Sequence, residues 1–374
     1  MRKNKVLVIF GTRPEAIKMA PVIKELEQRA NTFETVVVTT GQHKEMLVPI
    51  LETFKIKPNY DLDIMKKSQT LGDITISILK KLDPIIKNEK PDVVLVHGDT
   101  TTTFAAGLAA FYNQVKIGHV EAGLRTWDLS SPFPEEMNRQ SVDVLSDFYF
   151  APTLLSKRNL EKENHSTDNI YVTGNTAIDA LKYTVSDNFT NNVINKLDKN
   201  KKTILITMHR RENIGKPMEN VFKAVNSILD EHNDLQFVFP VHKNPAVRNI
   251  VDKYLKGNSR VHLVEPMDVI DFHNVIKKCY LVMTDSGGVQ EEAPSLHTPV
   301  LVLRTETERP EGVQAGTLKI VGTDEENVKR EVESLLNNEE EYTRMSNAKN
   351  PYGDGNASVR IADVLEEHLK NGRN

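Results

Sequence analysis

A chain of 374 residues is longer than one hydrophobic core usually supports, so two domains are expected. Hydrophobic residues at 39% and charged residues at 27% make an ordinary globular balance. A formal net charge of -4 with no dense Lys/Arg tract excludes a protein that gathers nucleic acid by long-range attraction, and leaves small phosphorylated ligands open.

Residues 1–10 are too short for a signal peptide and run straight into a turn, and no stretch approaches a membrane span. The single cysteine, Cys279, reads as a small buried residue in an apolar stretch. A cytoplasmic protein with no membrane partner is expected. Short apolar runs follow at 6–10, 35–40, 93–97, 116–121, 148–151 and 170–173, then at 203–207, 237–241, 261–264, 281–284, 300–303 and 318–321. Most are continuous in Val, Ile, Leu and Phe, as strands buried on both faces of a parallel sheet are. Amphipathic stretches of helical length, such as 69–88 and 219–231, lie between them. The repeated β-then-α order predicts an α/β fold of two Rossmann-like, doubly wound parallel-sheet domains facing an interdomain cleft. The expected division is an N-terminal domain over 1–176, a polar, asparagine-rich connecting segment over 177–201 and a C-terminal domain over 202–355. A last helix within 356–374 is expected to pack back on the N-terminal domain.

In open parallel sheets ligands bind beyond the carboxyl ends of the strands, and the unusual polar residues fall there. The first run ends in Gly11-Thr12-Arg13-Pro14-Glu15, with Lys18 one turn on. Exposed N–H groups and two cations there suit an anion, against the plainer reading of a capped helix with solvated charges. Gln42, His43 and Met46 share one face of a helix start, or are loop polar residues beside a core methionine. Asp99 stands at a strand tip before Thr100–Thr103, whose hydroxyls suit the cap of a helix beginning near Phe104. Glu121 ends the next strand, and Glu135 and Glu136 follow a proline-stiffened loop, with Asn138 and Arg139 close by. Asp99, Glu121 and Glu135 form an acid–base set if they converge. A metal site is the competing reading, and the neighbouring residues lack a ligand spacing.

In the second half, His209 after a strand is a general acid or phosphate contact, with Arg210 and Arg211 as anion binders and His242 at a similar strand end. Ser286-Gly287-Gly288 opens a helix after the run at 281–284 and suits a diphosphate. The full dinucleotide glycine spacing and the P-loop lysine are absent, which favours a nucleoside diphosphate over NAD or ATP. Glu292, one turn in, suits a ribose diol, and Arg309 before Pro310 suits a phosphate.

Taken together and in order, GTRPEAIKMAP (11–21), GQHKEM (41–46), VHGDTTTT (96–103), GHVEAGLRT (118–126), SPFPEEMNR (131–139), VTGNTAIDA (172–180), HRREN (209–213), TDSGGVQEEAPSL (284–296), TERPE (307–311) and NPYGDG (350–355) resemble the non-hydrolysing UDP-N-acetylglucosamine 2-epimerases. The resemblance implies a GT-B-like fold and reversible interconversion of UDP-GlcNAc and UDP-ManNAc, with neither NAD nor metal as cofactor. It implies anti elimination of UDP to 2-acetamidoglucal followed by re-addition, in the service of bacterial cell-surface polysaccharide. By motif, Arg13, Lys18, His209, Ser286, Gly287, Gly288, Glu292 and Arg309 hold UDP, with Met267 and Phe272 beside the uridine. Asp99, Glu121 and Glu135 surround the sugar, and His209 assists the departing diphosphate. Many bacterial members bind a second UDP-GlcNAc as an allosteric activator, at positions matching Gln42, His43, Met46, Arg210 and His242. Ser68 departs from the arginine that some activated members carry there. A homodimer is also implied. A GT-B glycosyltransferase and a hydrolysing epimerase are the neighbouring readings that would use the same UDP contacts.

Overall fold

The computed structural model describes residues 2–42, 44–66 and 68–371. They fall into two compact units, Met1–Tyr183 with Tyr352–Asn374, and Thr184–Pro351. The first unit contains β1 (Asn4–Phe10), α1 (Arg13–Gln28), β2 (Phe33–Thr39), α2 (Lys44–Thr53), β3 (Tyr60–Asp61), α3 (Leu71–Glu89), β4 (Val93–His97) and α4 (Thr101–Tyr112). It continues with β5 (Lys116–Val120), α5 (Glu135–Leu145), β6 (Phe148–Ala151), α6 (Leu154–Lys162), β7 (Ile170–Val172) and α7 (Thr176–Thr184). The second holds β8 (Lys202–Thr207), α8 (Lys216–Glu231), β9 (Leu235–Pro240), α9 (Pro245–Tyr254), β10 (Val261–Val264), α10 (Val269–Lys278) and β11 (Leu281–Thr284). Then come α11 (Gly287–Glu292), β12 (Val300–Val302), α12 (Pro310–Gln314), β13 (Leu318–Ile320), α13 (Glu325–Asn337) and α14 (Glu339–Asn347). The last helix, α15 (Ala357–Asn371), returns to the first unit.

Both sheets are parallel throughout, in the orders β3-β2-β1-β4-β5-β6-β7 and β10-β9-β8-β11-β12-β13. Each reverses its winding direction once, between β1 and β4 and between β8 and β11. Those are the topological switch points at which such sheets bind ligands. The continuous apolar runs are explained by burial on two faces: Val6 to Phe10 are fully buried, as are Val93 to Val96. Leu7 and Ile9 pack with Ile78, Leu82 and Ile86 of α3 and with Ala105, Ala106 and Ala109 of α4, whose small side chains let the helix lie close to the sheet. In the second unit Ile204 and Ile206 meet Phe222, Val225 and Leu229 of α8.

Three local differences from the sequence expectations have simple causes. The pairing of β3 with β2 involves only Tyr60 and Asp61, too short to leave a periodic signal. Helix α4 begins at Thr101 rather than near Phe104, because the Thr100 hydroxyl accepts the Thr103 N–H and makes Thr100 the cap. Residues 177–201 are divided between the units: α7 completes the first, while Val193, Ile194 and Leu197 pack on the core of the second. Asp179 of α7 accepts the backbone N–H of Ser358 at 2.8 Å and its hydroxyl at 2.6 Å, so it starts α15. That helix lies against α1, where Arg29 pairs with Asp363 at 2.6 Å.

Candidate active site

The carboxyl end of the first sheet is built on buried hydrogen bonds. Glu15, expected as a helix-start residue, is buried and accepts the N–H groups of Gly11 at 3.1 Å and Thr12 at 2.7 Å. It also accepts the hydroxyls of Thr100 at 2.8 Å and Thr103 at 3.1 Å, which ties the loop after β1 to the loop after β4. A Cβ at Gly11 would collide with the hydroxyls of Thr40 and Thr102, so only glycine lets the two loops close on each other. Those hydroxyls lie 3.1 Å apart, and Thr102 donates to the Gln42 side-chain oxygen at 2.9 Å. His43 lies outside the described residues, as does the Met46 side chain.

Glu121 follows β5 in the left-handed region, at φ 67°. Its carboxylate is ion-paired to Lys18 and accepts the Asn175 amide at 3.2 Å. His97 Nε2 lies 3.7 Å from the same oxygen, and both nitrogens of this buried ring lack a hydrogen bond. Burial alone would push the Glu121 carboxyl up, but the Lys18 ammonium and His97 outweigh it and hold the carboxyl well below the usual range. Lys18, expected on a diphosphate, is thus engaged with an expected acid–base residue. Asn175 and His97 were not singled out from the sequence.

Asp99 accepts Arg139 Nη2 at 2.5 Å, and Asn138 donates to its carbonyl at 2.9 Å, which fixes the tip of β4 to α5. Glu135 and Glu136, adjacent in sequence, differ completely. Glu136 is buried and accepts the N–H groups of Thr126 and Trp127, each at 3.0 Å. Glu135 opens α5, half-buried, and among the described residues its carboxylate has no ion pair or hydrogen bond. Underneath, buried Asp143 pairs with His119 at 2.6 Å and Arg125 at 2.6 Å, and His119 Nε2 lies 2.7 Å from the Gly98 carbonyl. A Cβ at Gly98 would stand 3.6 Å from Glu121 Oε1, so Asp99 and Glu121 flank one turn. Arg13 opens α1 and is exposed.

The second unit collects cations and free donors. Ser286 stands at the N-cap of α11 with its hydroxyl unused for capping, followed by Gly287 and Gly288. The guanidinium Nη2 atoms of Arg309 and Arg210 lie 3.5 and 4.0 Å from where a Gly287 Cβ would be. Backbone donors and two guanidiniums therefore border one small space, a setting for a diphosphate. Arg309 is braced by buried Glu291, and Arg210 lies 3.4 Å from Glu308. Burial would raise the Glu308 carboxyl, yet Arg304 and Arg210 bring it down to about 2, so it stays charged beside the arginines. Glu292 Oε1 lies 4.0 Å from the Gly288 Cβ position, and Glu292 Oε2 is 3.3 Å from the buried His273 ring. Met267 and Phe272 are half-buried against the sheet core. The rings of His209 and His242 stack at 5.8 Å.

Among the described residues, no group of three or more His, Cys, Asp or Glu side chains could hold a metal ion. No described helix is long and apolar enough to cross a membrane.

The chain is similar over nearly its whole length to known proteins of one family. The family model described as UDP-N-acetylglucosamine 2-epimerase matches residues 24–366. The UDP-N-acetylglucosamine 2-epimerase of Bacillus subtilis strain 168 is 56% identical over 368 residues, covering 98% of this chain and 96% of the relative. A structure of S. aureus MnaA with UDP superposes with a TM-score of 0.89 at 56% identity, covering 98% of this chain and 97% of that one. The UDP-GlcNAc 2-epimerase of Neisseria meningitidis bound to UDP-GlcNAc gives a TM-score of 0.86 at 48% identity, over 97% of this chain and all of that one. The two Rossmann-like sheets are therefore the GT-B-like pair that the motifs implied. The chain belongs to the UDP-N-acetylglucosamine 2-epimerase family, a family of isomerases.

Proposed function

We propose that the protein interconverts UDP-GlcNAc and UDP-ManNAc by anti elimination and re-addition of UDP. The observations that support this reading are a charged, buried Glu121 in one unit and, in the other, the Ser286-Gly287-Gly288 turn bordered by Arg309 and Arg210. The first suits proton removal from carbon, and the second suits charge building on a departing diphosphate.

A carboxylate takes the C2 proton while the C1–O bond breaks and its electron pair leaves on UDP. The product is 2-acetamidoglucal. UDP then adds back through its β-phosphate oxygen to C1, and a proton is delivered to the opposite face of C2. No electrons are gained or lost, so the balance closes without NAD or metal. Glu121 is ionised throughout the neutral range, which suits a base or a stabiliser of the oxocarbenium-like ring and not an acid. Glu135, with no partner among the described residues, suits the opposite role, and Asp99 is positioned by Arg139. Arg13, Ser286, Gly287, Gly288 and Arg309 contact the diphosphate, with Lys18 shared between it and Glu121. Glu292 contacts the ribose, Met267 and Phe272 pack beside the uridine, and His209 assists the leaving group.

The product would feed bacterial cell-surface polysaccharide synthesis from the cytoplasm. A second UDP-GlcNAc would act as an allosteric activator through Gln42, His43, Met46, Arg210 and His242. A homodimer is supported by Ile76 of α3, Phe111 and Tyr112 of α4 and Val144 of α5, which leave exposed apolar side chains on neighbouring helices. Product analysis tests the activity. UDP-GlcNAc alone, with no NAD added, is expected to give an equilibrium mixture with UDP-ManNAc; accumulation of UDP with free ManNAc would mark hydrolysis instead.

A further inference from the structure

Asp285 sits between β11 and α11 with no solvent exposure. One carboxylate oxygen, Oδ2, accepts the N–H of His209 at 2.9 Å, the N–H of Arg210 at 2.9 Å and the Asn213 amide at 3.0 Å. The other, Oδ1, is buried and has no hydrogen-bond partner. An acceptor shut away from water and left unpaired is unusual, and a charged one more so. The nearest cation-forming group is His209, whose Nδ1 lies 3.3 Å from Oδ1 while half of its side chain is exposed. A small turn of the ring would complete the missing bond.

We propose that Asp285 is a positioning residue that holds His209 by Nδ1–H and so presents Nε2 to the departing diphosphate. The inference rests on the reading in which His209 assists UDP departure. The two oxygens have separate tasks: Oδ2 shapes the turn after β8, and Oδ1 sets the tautomer and direction of the ring that the turn carries. The Nδ1 proton stays on the ring throughout. The proton that moves is on Nε2, donated to the diphosphate oxygen as the C1–O bond breaks and returned when UDP adds back. A carboxylate behind the ring stabilises the imidazolium that exists before the Nε2 proton is given up and again after it returns. His242, stacked on the same ring, restrains its plane without supplying this bond.

Asp285→Asn in the full chain is the test, because it keeps one carbonyl oxygen for the three donors and replaces Oδ1 by an amide donor. That donor forces Nδ1 to accept and moves the ring hydrogen to Nε2. With ring-15N histidine, and with the His209 signals identified by their loss in His209→Gln, the native protein is expected to show Nδ1–H and the variant Nε2–H. The expected kinetic effect is a fall in kcat of about 100-fold, with the KM for UDP-GlcNAc changed by less than about threefold. In the His209→Gln background the same substitution is expected to cost nothing further. A native ring found with hydrogen on Nε2 and none on Nδ1, or an Asp285→Asn enzyme with native kcat, overturns the proposal. The native spectrum decides even if the variant does not fold. If His209→Gln alone leaves kcat intact, the role of His209 in the reaction fails, while the tautomer still reports on the Asp285 contact.

Discussion

Glu121 combines three local features: a left-handed backbone, a buried carboxylate and contacts to Lys18, Asn175 and His97. Its depressed titration has a consequence for stability. A carboxyl whose folded value lies below its unfolded one, near about 4.3, contributes fully above that unfolded value. The contribution is lost as pH falls through the folded value. Urea unfolding of the unliganded protein should therefore show a steeper loss of stability below about pH 4 in the native chain than in Glu121→Gln. The same variant should lower kcat by about 100-fold or more, read by coupled detection of UDP-ManNAc. A second residue-scale prediction concerns Gly11. Alanine there meets two buried hydroxyls, and a loss of about 1–3 kcal/mol in unfolding free energy is expected. The sequence made the acidic positions and the glycine-rich turns visible because their residue types are unusual at strand ends. Partners distant in sequence were not visible. Glu15 reaches Thr100 and Thr103 only because β1 and β4 are neighbours, and Asp285 reaches His209 only because β8 and β11 are.

Among the elements, long helices and continuous strands were legible from periodicity, because burial on two faces of a sheet leaves little room for polar residues. The expected helix over 219–231 gains one turn at its start, where Pro217 sits at a first-turn position that needs no N–H. The pair Glu135 and Glu136 shows the limit. One turns inward to hold the loop at Thr126 and Trp127, the other has no partner among the described residues, and nothing local distinguishes two adjacent glutamates. Helix α15 owes its start to Asp179 of α7, which accepts two backbone N–H groups and the Ser358 hydroxyl. Asp179→Ala should cost about 1–2 kcal/mol and loosen α15, seen as faster amide exchange over that helix before global unfolding.

For the whole molecule, the order of the motifs and the parallel sheets place the chain in its family, and the chemistry assigned to it follows from the two sets of side chains taken together. An elimination breaks the C2–H bond in every turnover, whereas a route that epimerised C2 by oxidation and internal hydride return would keep that hydrogen. UDP-GlcNAc carrying ordinary hydrogen at C2, incubated with the protein in heavy water, separates them. Nuclear magnetic resonance of the UDP-ManNAc formed should show deuterium at C2 from the first turnover. UDP-ManNAc retaining the original hydrogen at C2 would contradict the elimination.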